Sequence, residues 1–448
     1  MFLIMFLAFV VRICLLGDGG YSPDSREYYG AAINIVNGNG YSICHEPPFY
    51  PFYYREPLTS YVMAFVIWAV NLFYGVKSID YPHTMVVPDM PVYHQTFIYS
   101  IRIFSILLQL ISIYLFYKIV RRKSNDMYAI VFLLLCALSL PMIISLSLVL
   151  REPYVFFLLS LILYFWSMYL DNRKLPYILL VALTNGVLCL CFQLYWFLSV
   201  IILLILLWIL RKNILVYIKL AVVYVVFFFM PLIPHLIQVY HYYPDVRILR
   251  TLGSALTYEC NSGHDAYEAL GASPWSSKDG DLPNGLKPHP ELFDPRDAAK
   301  LFERSFDGTY AKEVERLNSV NSKGMFPFYL DRTLLSLRNT IFMVGITYDY
   351  GVFIGQSTKK DIAKFLVVFP YLLCGILGLI GLCPFLKKYW MFVPVFLFHS
   401  LLFFILGDEE RRQVMLVPYL ICIVMFFIGE MIKRKRHCLQ KGEKRTKK

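Results

Sequence analysis

The sequence predicts an all-α polytopic membrane protein of about ten transmembrane helices, and three observations support this class. Of its 448 residues, 58% are hydrophobic, which is more than a typical soluble domain contains. Apolar runs of about 17–25 residues, long enough to cross the hydrocarbon core of a bilayer as helix, recur along the chain. The formal net charge is +12, and its basic residues gather in short connections between the apolar runs and in the last residues of the chain.

Ten of the apolar runs are predicted to cross the membrane. The first, residues 1–17, lacks a basic leader and a small-residue cleavage site, so we interpret it as a span rather than a signal peptide, although it contains Arg12. The other predicted spans are residues 95–120, 127–149, 154–170, 175–195, 196–210, 214–239, 362–382, 389–406 and 413–432.

Two further apolar runs, Leu58–Tyr74 and Ile341–Ile354, are ambiguous, and Leu58–Tyr74 is predicted not to cross. Seven basic residues lie in three short loops, residues 121–123, 172–174 and 211–213. Cytoplasmic loops carry the excess of Lys and Arg. The three loops share a side with Lys387–Lys388 and the tail only if Leu58–Tyr74 stays at one face. Both termini are then cytoplasmic, and Leu58–Tyr74 becomes an interfacial helix that starts after Pro57.

This topology divides the chain into four predicted parts, with two large extracytoplasmic loops that contain interfacial helices. They are a transmembrane module at 1–239 with a first outer loop at 18–94, a second outer loop at 240–361, C-terminal helices at 362–432 and a basic cytoplasmic tail at 433–448. The tail has nine Lys or Arg against one Glu, which suits anionic lipid headgroups. Because no nucleic-acid-binding module accompanies it, nucleic acid is not an expected partner.

The candidate site residues are charged side chains at the predicted outer ends of spans. Asp24, with Glu27 three residues later, forms a capping-box pattern at the start of a short amphipathic helix. Asp24 is therefore open to two interpretations, a helix cap or a general base. The further candidates are Arg55, Arg151, Glu152, Arg411 and Arg412. Charges this close to hydrocarbon are usually paired or functional. Arginines suit a lipid-linked phosphate, and a carboxylate suits deprotonation of a hydroxyl.

Five segments carry a family resemblance. In chain order they are "PDSREYYGAAINIVNGNGYS", "YREPLTSYVMAF", "LREPYVFF", "YYPDVRILRTLGSALTYECNSG" and "ERRQVMLVPYLICI". Their content and order resemble the GT-C glycosyltransferases, in particular the bacterial members of the family 39 type, which are similar to protein O-mannosyltransferases and to the aminoarabinose transferase of lipid A.

The resemblance implies a sugar donor linked to polyprenyl phosphate, an acceptor hydroxyl on the outer face and inversion at the sugar carbon. It makes Asp24 the predicted general base. Many relatives have a second acidic residue directly after this aspartate, whereas this chain has Ser25, so Glu27 is the expected second catalytic carboxylate. Tyr28 is expected to line the substrate site.

The resemblance also implies a phosphate site near the end of the chain. Arg411 corresponds to the late arginine of the family and is predicted to bind the phosphate. Gln413 stands where the family has a second arginine, so Arg412 is expected to help. Arg55, Arg151 and Glu152 complete the predicted substrate-binding set, with Glu152 at the acidic position near the donor.

The expected partners are the bilayer, the polyprenyl-phosphate sugar and a hydroxyl acceptor on a glycan, lipid or protein. No cofactor is expected, and no metal, because the sequence has no ligand cluster outside the spans. Cys44 and Cys260 lie one in each outer loop and are either a disulfide or two free thiols. The predicted setting is the bacterial cytoplasmic membrane, with the active site facing outward.

Two other functions fit part of the pattern. A polysaccharide polymerase or ligase would also combine many spans with large outer loops and arginines for a lipid-linked glycan. A lipid or solute transporter would need charged residues along a path through the bilayer. The candidate residues of this chain gather instead at outer ends, which favours the glycosyltransferase.

Overall fold

The computed structural model describes residues 1–16, 23–42, 56–82, 87–139, 142–143, 149–242, 380–406 and 417–446, together with the single residues 47 and 49. The described residues form helices and no strand. The helices of the N-terminal part are α1 (Phe2–Cys14), α2 (Pro23–Val36), α3 (Pro57–Tyr74), α4 (Val92–Lys123), α5 (Asp126–Ala137), α6 (Glu152–Asn172), α7 (Leu175–Cys189), α8 (Trp196–Leu210), α9 (Ile214–Phe229) and α10 (Ile233–Tyr242). The later helices are α11 (Ile380–Lys388), α12 (Val393–Leu406) and α13 (Val417–Thr446).

The basic loops meet at one end of the bundle. Arg122 Nη2 lies 2.8 Å from Asp171 Oδ2, and Lys123 also pairs with Asp171, so α4 and α6 end side by side. Lys388 Nζ lies 3.0 Å from Glu430 Oε1, and both residues line one cavity with Lys123. We call this the basic end and the opposite end of the bundle the distal end. The basic loops at 121–123 and 387–388 and the end of α6 thus lie together, while the side of the membrane that they face stays a prediction.

Helix α3 lies at the distal end along its whole length. Its first residues contact the start of α6, and Tyr74 Oη at its other end lies 2.9 Å from Thr96 Oγ1 in α4. At 1.5 Å per residue, these contacts lie about 30 Å and about 40 Å from the basic end. A crossing helix of this length would instead bring one end close to the basic end. That α3 does not cross stays a prediction, because its length and composition are those of a helix that could span a membrane.

The surface of α3 suits contact with lipid. One side packs on the protein through buried residues such as Met63, Ala64 and Ile67. The opposite side exposes a stripe of large apolar residues at helical spacing, namely Tyr61, Phe65, Trp68 and Leu72. Gly75, which is left-handed at φ 65°, ends the helix.

Several predicted spans are shorter or more bent than their apolar runs. The run 127–149 forms α5 only to Ala137, ahead of Pro141, and the run 214–239 breaks after Phe229, around Pro231. Proline lacks an amide hydrogen and disfavours helix in the residue before it, which explains a break at these places. Near the C-terminus, α11 and the segment Trp390–His399 meet at 101°.

In the described part of the chain, four helices are long and apolar enough to cross a membrane, or five if the bent pair at 380–399 is counted as one span. The four are α3, α4, α6 and the continuous segment Gln193–Leu210. Shorter apolar helices, including α1, α5, α7 and α9, pack around them. This apolar helical composition is that of an integral membrane protein, while the count of ten spans remains a prediction.

Arg12 joins three helices inside the bundle. Its Nε donates to Gln109 Oε1 of α4 at 2.7 Å, and its Nη1 donates to the carbonyl oxygen of Ala137 at 2.7 Å. Gln109 in turn donates to the carbonyl oxygen of Met142 at 2.6 Å. The guanidinium therefore satisfies the carbonyl end of α5, where the helix stops, which explains a fully buried cation in an apolar span.

Candidate functional site

Three segments meet at the distal end to form the candidate site. They are the start of α3, the start of α6 and the turn at 190–195 that connects α7 to α8. The amide of Leu58 donates to the carbonyl oxygen of Leu190 at 2.9 Å, and Thr59 Oγ1 lies 3.4 Å from Cys191 Sγ. Backbone groups at the start of α3 are thus satisfied by the turn rather than by water. We call this contact region the distal junction.

A buried ion pair lies at the centre of the distal junction. Arg151 Nη1 donates to Glu56 Oε2 at 3.1 Å, and the amide of Gln193 donates to Glu56 Oε1 at 2.9 Å. The guanidinium carbon of Arg151 also lies 4.0 Å from the centre of the Phe192 ring, within range of a cation–π interaction. Removing one partner of a buried pair typically costs about 3–5 kcal/mol, because the other charge is left unpaired. The pair therefore fixes the junction as long as both partners are present.

Glu152 lies next to this pair with an unsatisfied oxygen. It is the first residue of α6 and is 9% exposed, and its Oε2 has no hydrogen-bond partner among the described residues. Burying a carboxylate oxygen without a donor is costly, so such an atom needs an explanation, and a role in binding or catalysis is one. A carboxylate accepts hydrogen bonds and donates none, so the groups it suits are hydroxyls, amines and cations.

Helix α2 lies at the same end of the molecule. It packs on α3, and Tyr29 Oη lies 2.8 Å from His94 Nδ1 in the first turn of α4. At its C-terminal end, Asn37 exchanges two hydrogen bonds with the backbone of Ile79, at 2.9 and 3.0 Å. The segment predicted to carry the catalytic residues is therefore fixed to α4 near its middle and to the segment after α3 at its C-terminal end.

The start of α2 differs from the capping-box prediction. The helix begins at Pro23, so Asp24 lies within its first turn rather than at the flanking position of a cap. Pro23 suits this position because a first-turn residue needs no amide hydrogen for the helix. Glu27 and Tyr28 are buried in the next turn, at 5% and 2% exposure. The Asp24 side chain lies outside the described part of the structure.

Tyr81 contacts the first turns of α2 and stabilises their position. Its hydroxyl donates to the carbonyl oxygen of Arg26 at 3.2 Å, and the Arg26 guanidinium lies 5.6 Å from its ring centre. Burial raises the pKa of the Tyr81 phenol to about 12, although the nearby Arg26 charge acts to lower it. Tyr81 therefore stays protonated at neutral pH. A Cβ at Gly30 would lie 2.4 Å from the Tyr81 ring, so the close approach of this ring needs glycine there.

The structure brings together only some of the predicted site residues. Arg151 and Glu152 lie in the distal junction, and Glu27 and Tyr28 lie in α2. The residues that fall outside the described part are Arg55, Arg411, Arg412, Cys44 and Cys260. In the described residues no group of three His, Cys, Asp or Glu has an arrangement that could hold a metal ion.

Sequence reasoning assigned no site role to Glu56 and Gln193. Glu56 directly precedes Pro57, which signals a helix start, and its neighbours gave no hint of a partner at Arg151. The contact joins residues 95 positions apart, and that of Gln193 joins residues 137 positions apart. Such partners become visible only when the helices are packed.

Comparison with known proteins gives no sequence relative. No protein-family model and no curated protein matches the chain. Among solved structures, it is similar to the archaeal oligosaccharyltransferase AglB from Archaeoglobus fulgidus in complex with an inhibitory peptide and a dolichol-phosphate. The identity is 13%, the match covers 98% of this chain and 51% of AglB, and the TM-score is 0.49. The chain thus spans about half the length of AglB.

The chain is also similar to ArnT from Cupriavidus metallidurans. The structure bound to undecaprenyl phosphate is 12% identical with a TM-score of 0.41, and the apo structure is 12% identical with a TM-score of 0.34. Each match covers 95% of this chain and 76% of ArnT. AglB and ArnT are GT-C fold glycosyltransferases, the family that the sequence motifs resemble. Because all three TM-scores lie below 0.5, we build the functional proposal on this chain's own residues.

Proposed function

We propose that this protein is a membrane glycosyltransferase that transfers a sugar from a polyprenyl-phosphate-linked donor to an acceptor hydroxyl, with inversion at the sugar carbon. The observation that carries the proposal is the distal junction. It places a buried Arg151–Glu56 pair beside the unsatisfied carboxylate of Glu152, at the end of the bundle where α2 begins with Pro23 and Asp24.

The chemistry divides among few residues. Asp24 accepts the proton of the acceptor hydroxyl as that oxygen bonds to the sugar carbon, and the bond from this carbon to the phosphate oxygen breaks. Glu27, one turn further along α2, is the second acidic group. The polyprenyl phosphate leaves with the bonding electrons, and Arg411, helped by Arg412, stabilises its growing charge. Arg55 is an additional phosphate ligand at the start of α3.

The distal junction supplies the sugar side of the site. Glu56 pairs with Arg151, so the Glu152 carboxylate is the acceptor that this junction offers. A carboxylate suits sugar hydroxyls better than it suits a phosphate. The buried side chain of Tyr28 supports this wall of the site from behind and does not stack on the sugar. The lipid tail of the donor stays in the bilayer, beside the exposed apolar stripe of α3.

The proposal also assigns each end of the bundle to one side of the membrane. The basic end faces the bacterial cytoplasm and the distal end faces outward, where the acceptor is a glycan, lipid or protein hydroxyl. If Cys44 and Cys260 pair, the disulfide joins the first outer loop to the second in this oxidising compartment.

The test compares Asp24→Asn with wild type in liposomes supplied with polyprenyl-phosphate sugars and candidate acceptors. Asn keeps the size and hydrogen-bonding capacity of the side chain but is no base. We expect transfer to fall about 100-fold or more, in line with the usual contribution of a general base. Asp89→Asn, at an exposed position of the same predicted loop, is the matched control and should transfer at the wild-type rate.

Three results would contradict the proposal. Equal transfer by wild type and Asp24→Asn would show that Asp24 is not the base. Transfer of long preassembled glycans in place of single sugars would favour a polymerase or ligase, and movement of the donor across the bilayer without transfer would favour a transporter.

A further inference from the structure

Glu56 is a buried charged residue of the distal junction that the proposed reaction does not use directly. It flanks the N-terminus of α3, a position from which a polar side chain commonly caps its own helix. The Glu56 side chain makes no such cap bond. Both of its oxygens instead reach other segments, at Arg151 and at the amide of Gln193.

These contacts fix the first turn of α6. The carbonyl oxygen of Arg151 accepts from the amides of Tyr154 and Val155, both at 3.0 Å, and so begins the helix. The Arg151 side chain is held on one side by Glu56 and on another by the Phe192 ring. Because Glu152 is the next residue, a shift of this turn after loss of the Arg151 contacts would also change the direction in which the Glu152 side chain leaves the backbone.

The charges at the junction compete for one guanidinium. Arg151 has Glu56 as its ion-pair partner, and Glu152 is the neighbouring carboxylate in the chain. If Arg151 paired with Glu152 as well, the Glu152 carboxylate would be satisfied and could no longer accept a hydrogen bond from a ligand. Glu56 is therefore the group that keeps Arg151 occupied while Oε2 of Glu152 stays without a partner among the described residues.

We propose that Glu56 is a positioning residue, which pairs with Arg151 so that the Glu152 carboxylate remains available to accept a hydroxyl of the sugar. This inference rests on the proposed function and adds the substrate group that the distal junction recognises. Glu56 itself touches no substrate in this scheme. Its effect on transfer passes through Glu152.

The first variant is Glu56→Gln, which has the size of the native residue and can still accept from the Gln193 amide, but has no charge to hold Arg151. We expect kcat for sugar transfer to fall on the order of tenfold to a hundredfold, the range typical of a misplaced catalytic contact. The KM for the lipid donor should stay within about twofold, because the phosphate is bound elsewhere. Glu56→Asp restores the charge and should recover part of kcat.

A matched control removes an ion pair outside the site. Glu430→Gln abolishes the contact with Lys388 at the basic end, which is 3.0 Å long and exposed. Its kcat should equal that of wild type. A loss of transfer in this control as large as that in Glu56→Gln would show a general response to lost ion pairs and would overturn the inference.

The deciding measurement repeats Glu56→Gln in a Glu152→Gln background, with single-turnover rates so that slow variants remain measurable. If Glu56 acts through Glu152, the second substitution should cause little further loss. An equal fold loss in both backgrounds would show that Glu56 only supports the fold. Unchanged kcat in Glu56→Gln, or in Glu152→Gln alone, would also overturn the inference.

The stability of the variants does not decide the question. If Glu56→Gln fails to accumulate, Arg151→Lys tests the same link, since Lys keeps the charge but loses the forked geometry. Its loss of kcat should likewise disappear in the Glu152→Gln background, and persistence of the loss there would overturn the inference. Absence of transfer by wild type would overturn the proposed function itself, whereas active wild type with fully active variants would overturn only the role of Glu56.

Discussion

At the scale of single residues, Arg12 shows how a cation is accommodated in the apolar bundle. Its hydrogen bonds go to backbone carbonyl groups and to Gln109, and they satisfy the end of α5. The partial negative charge of a helix C-terminus also favours a cation there. The residue thus has a structural explanation that needs no substrate.

We expect Arg12→Met to lower the free energy of unfolding by about 2–3 kcal/mol, because it leaves buried carbonyl groups and Gln109 without a donor. The measurement is thermal or denaturant unfolding in detergent. Lys174→Met, at an exposed position, is the control and should leave stability unchanged. Wild-type stability in Arg12→Met would contradict a structural role for this network.

The residue scale also shows where sequence reasoning succeeds and fails. The motif around Asp24 singled out α2, and the structure places α2 at the distal end. The role of Glu56 depends on Arg151 and Gln193, which come from two other segments. No local pattern encodes a contact of that kind, so it emerged only from the packed helices.

At the scale of elements, α7 and α9 approach closely at Gly186. A Cβ there would lie 2.1 Å from the carbonyl oxygen of Phe228, which is backbone and has little freedom to move. Small residues at such contacts let helices in membranes pack closely. The side-chain oxygen of the neighbouring Asn185 accepts from Ser199 Oγ at 2.6 Å and adds a polar contact with α8.

We expect Gly186→Ala to destabilise the protein by about 1–3 kcal/mol, since overpacking forces helices apart. The midpoint of thermal unfolding in detergent should fall by several degrees. Leu180→Ala changes an exposed position of the same helix and should cause a much smaller shift. If the two variants behave alike, the close packing of α7 against α9 is not what holds them together.

The elements were only partly predictable from the sequence. Apolar length identified α4 and α6 well, because their runs are uninterrupted. The same criterion overestimated α5, which ends at Ala137 inside the apolar run, where Arg12 bonds its last carbonyl groups. For α3 the sequence needed an independent argument, the distribution of basic loops, because its length and composition resemble those of a spanning helix.

At the scale of the whole molecule, the proposed function requires that the basic end faces the cytoplasm and that the distal end faces outward. Cysteine substitutions read by a membrane-impermeant maleimide test this in a background without native cysteines. We expect Asn39→Cys and Lys77→Cys, before and after α3, to be labelled in intact cells. Lys174→Cys, at the basic end, should be labelled only after permeabilisation. Opposite labelling of the first two positions would show that α3 crosses.

The whole-molecule architecture was the most predictable level, because hydrophobicity and loop charge act over long stretches of chain. The structure comparison found proteins of the family that the motifs resemble. The site was less predictable. Local motifs point to Asp24 and Arg411, but the sugar-binding geometry at Glu152 depends on how α3, α6 and the turn at 190–195 pack together.

The most direct test of the central claim follows the carrier lipid. Purified protein in liposomes is given a polyprenyl-phosphate sugar and an acceptor, and both free polyprenyl phosphate and the new glycoside are quantified. We expect the two products to appear in equal amounts with wild type and to be nearly absent with Asp24→Asn. A glycoside formed without release of polyprenyl phosphate, or equal release by both proteins, would contradict the account.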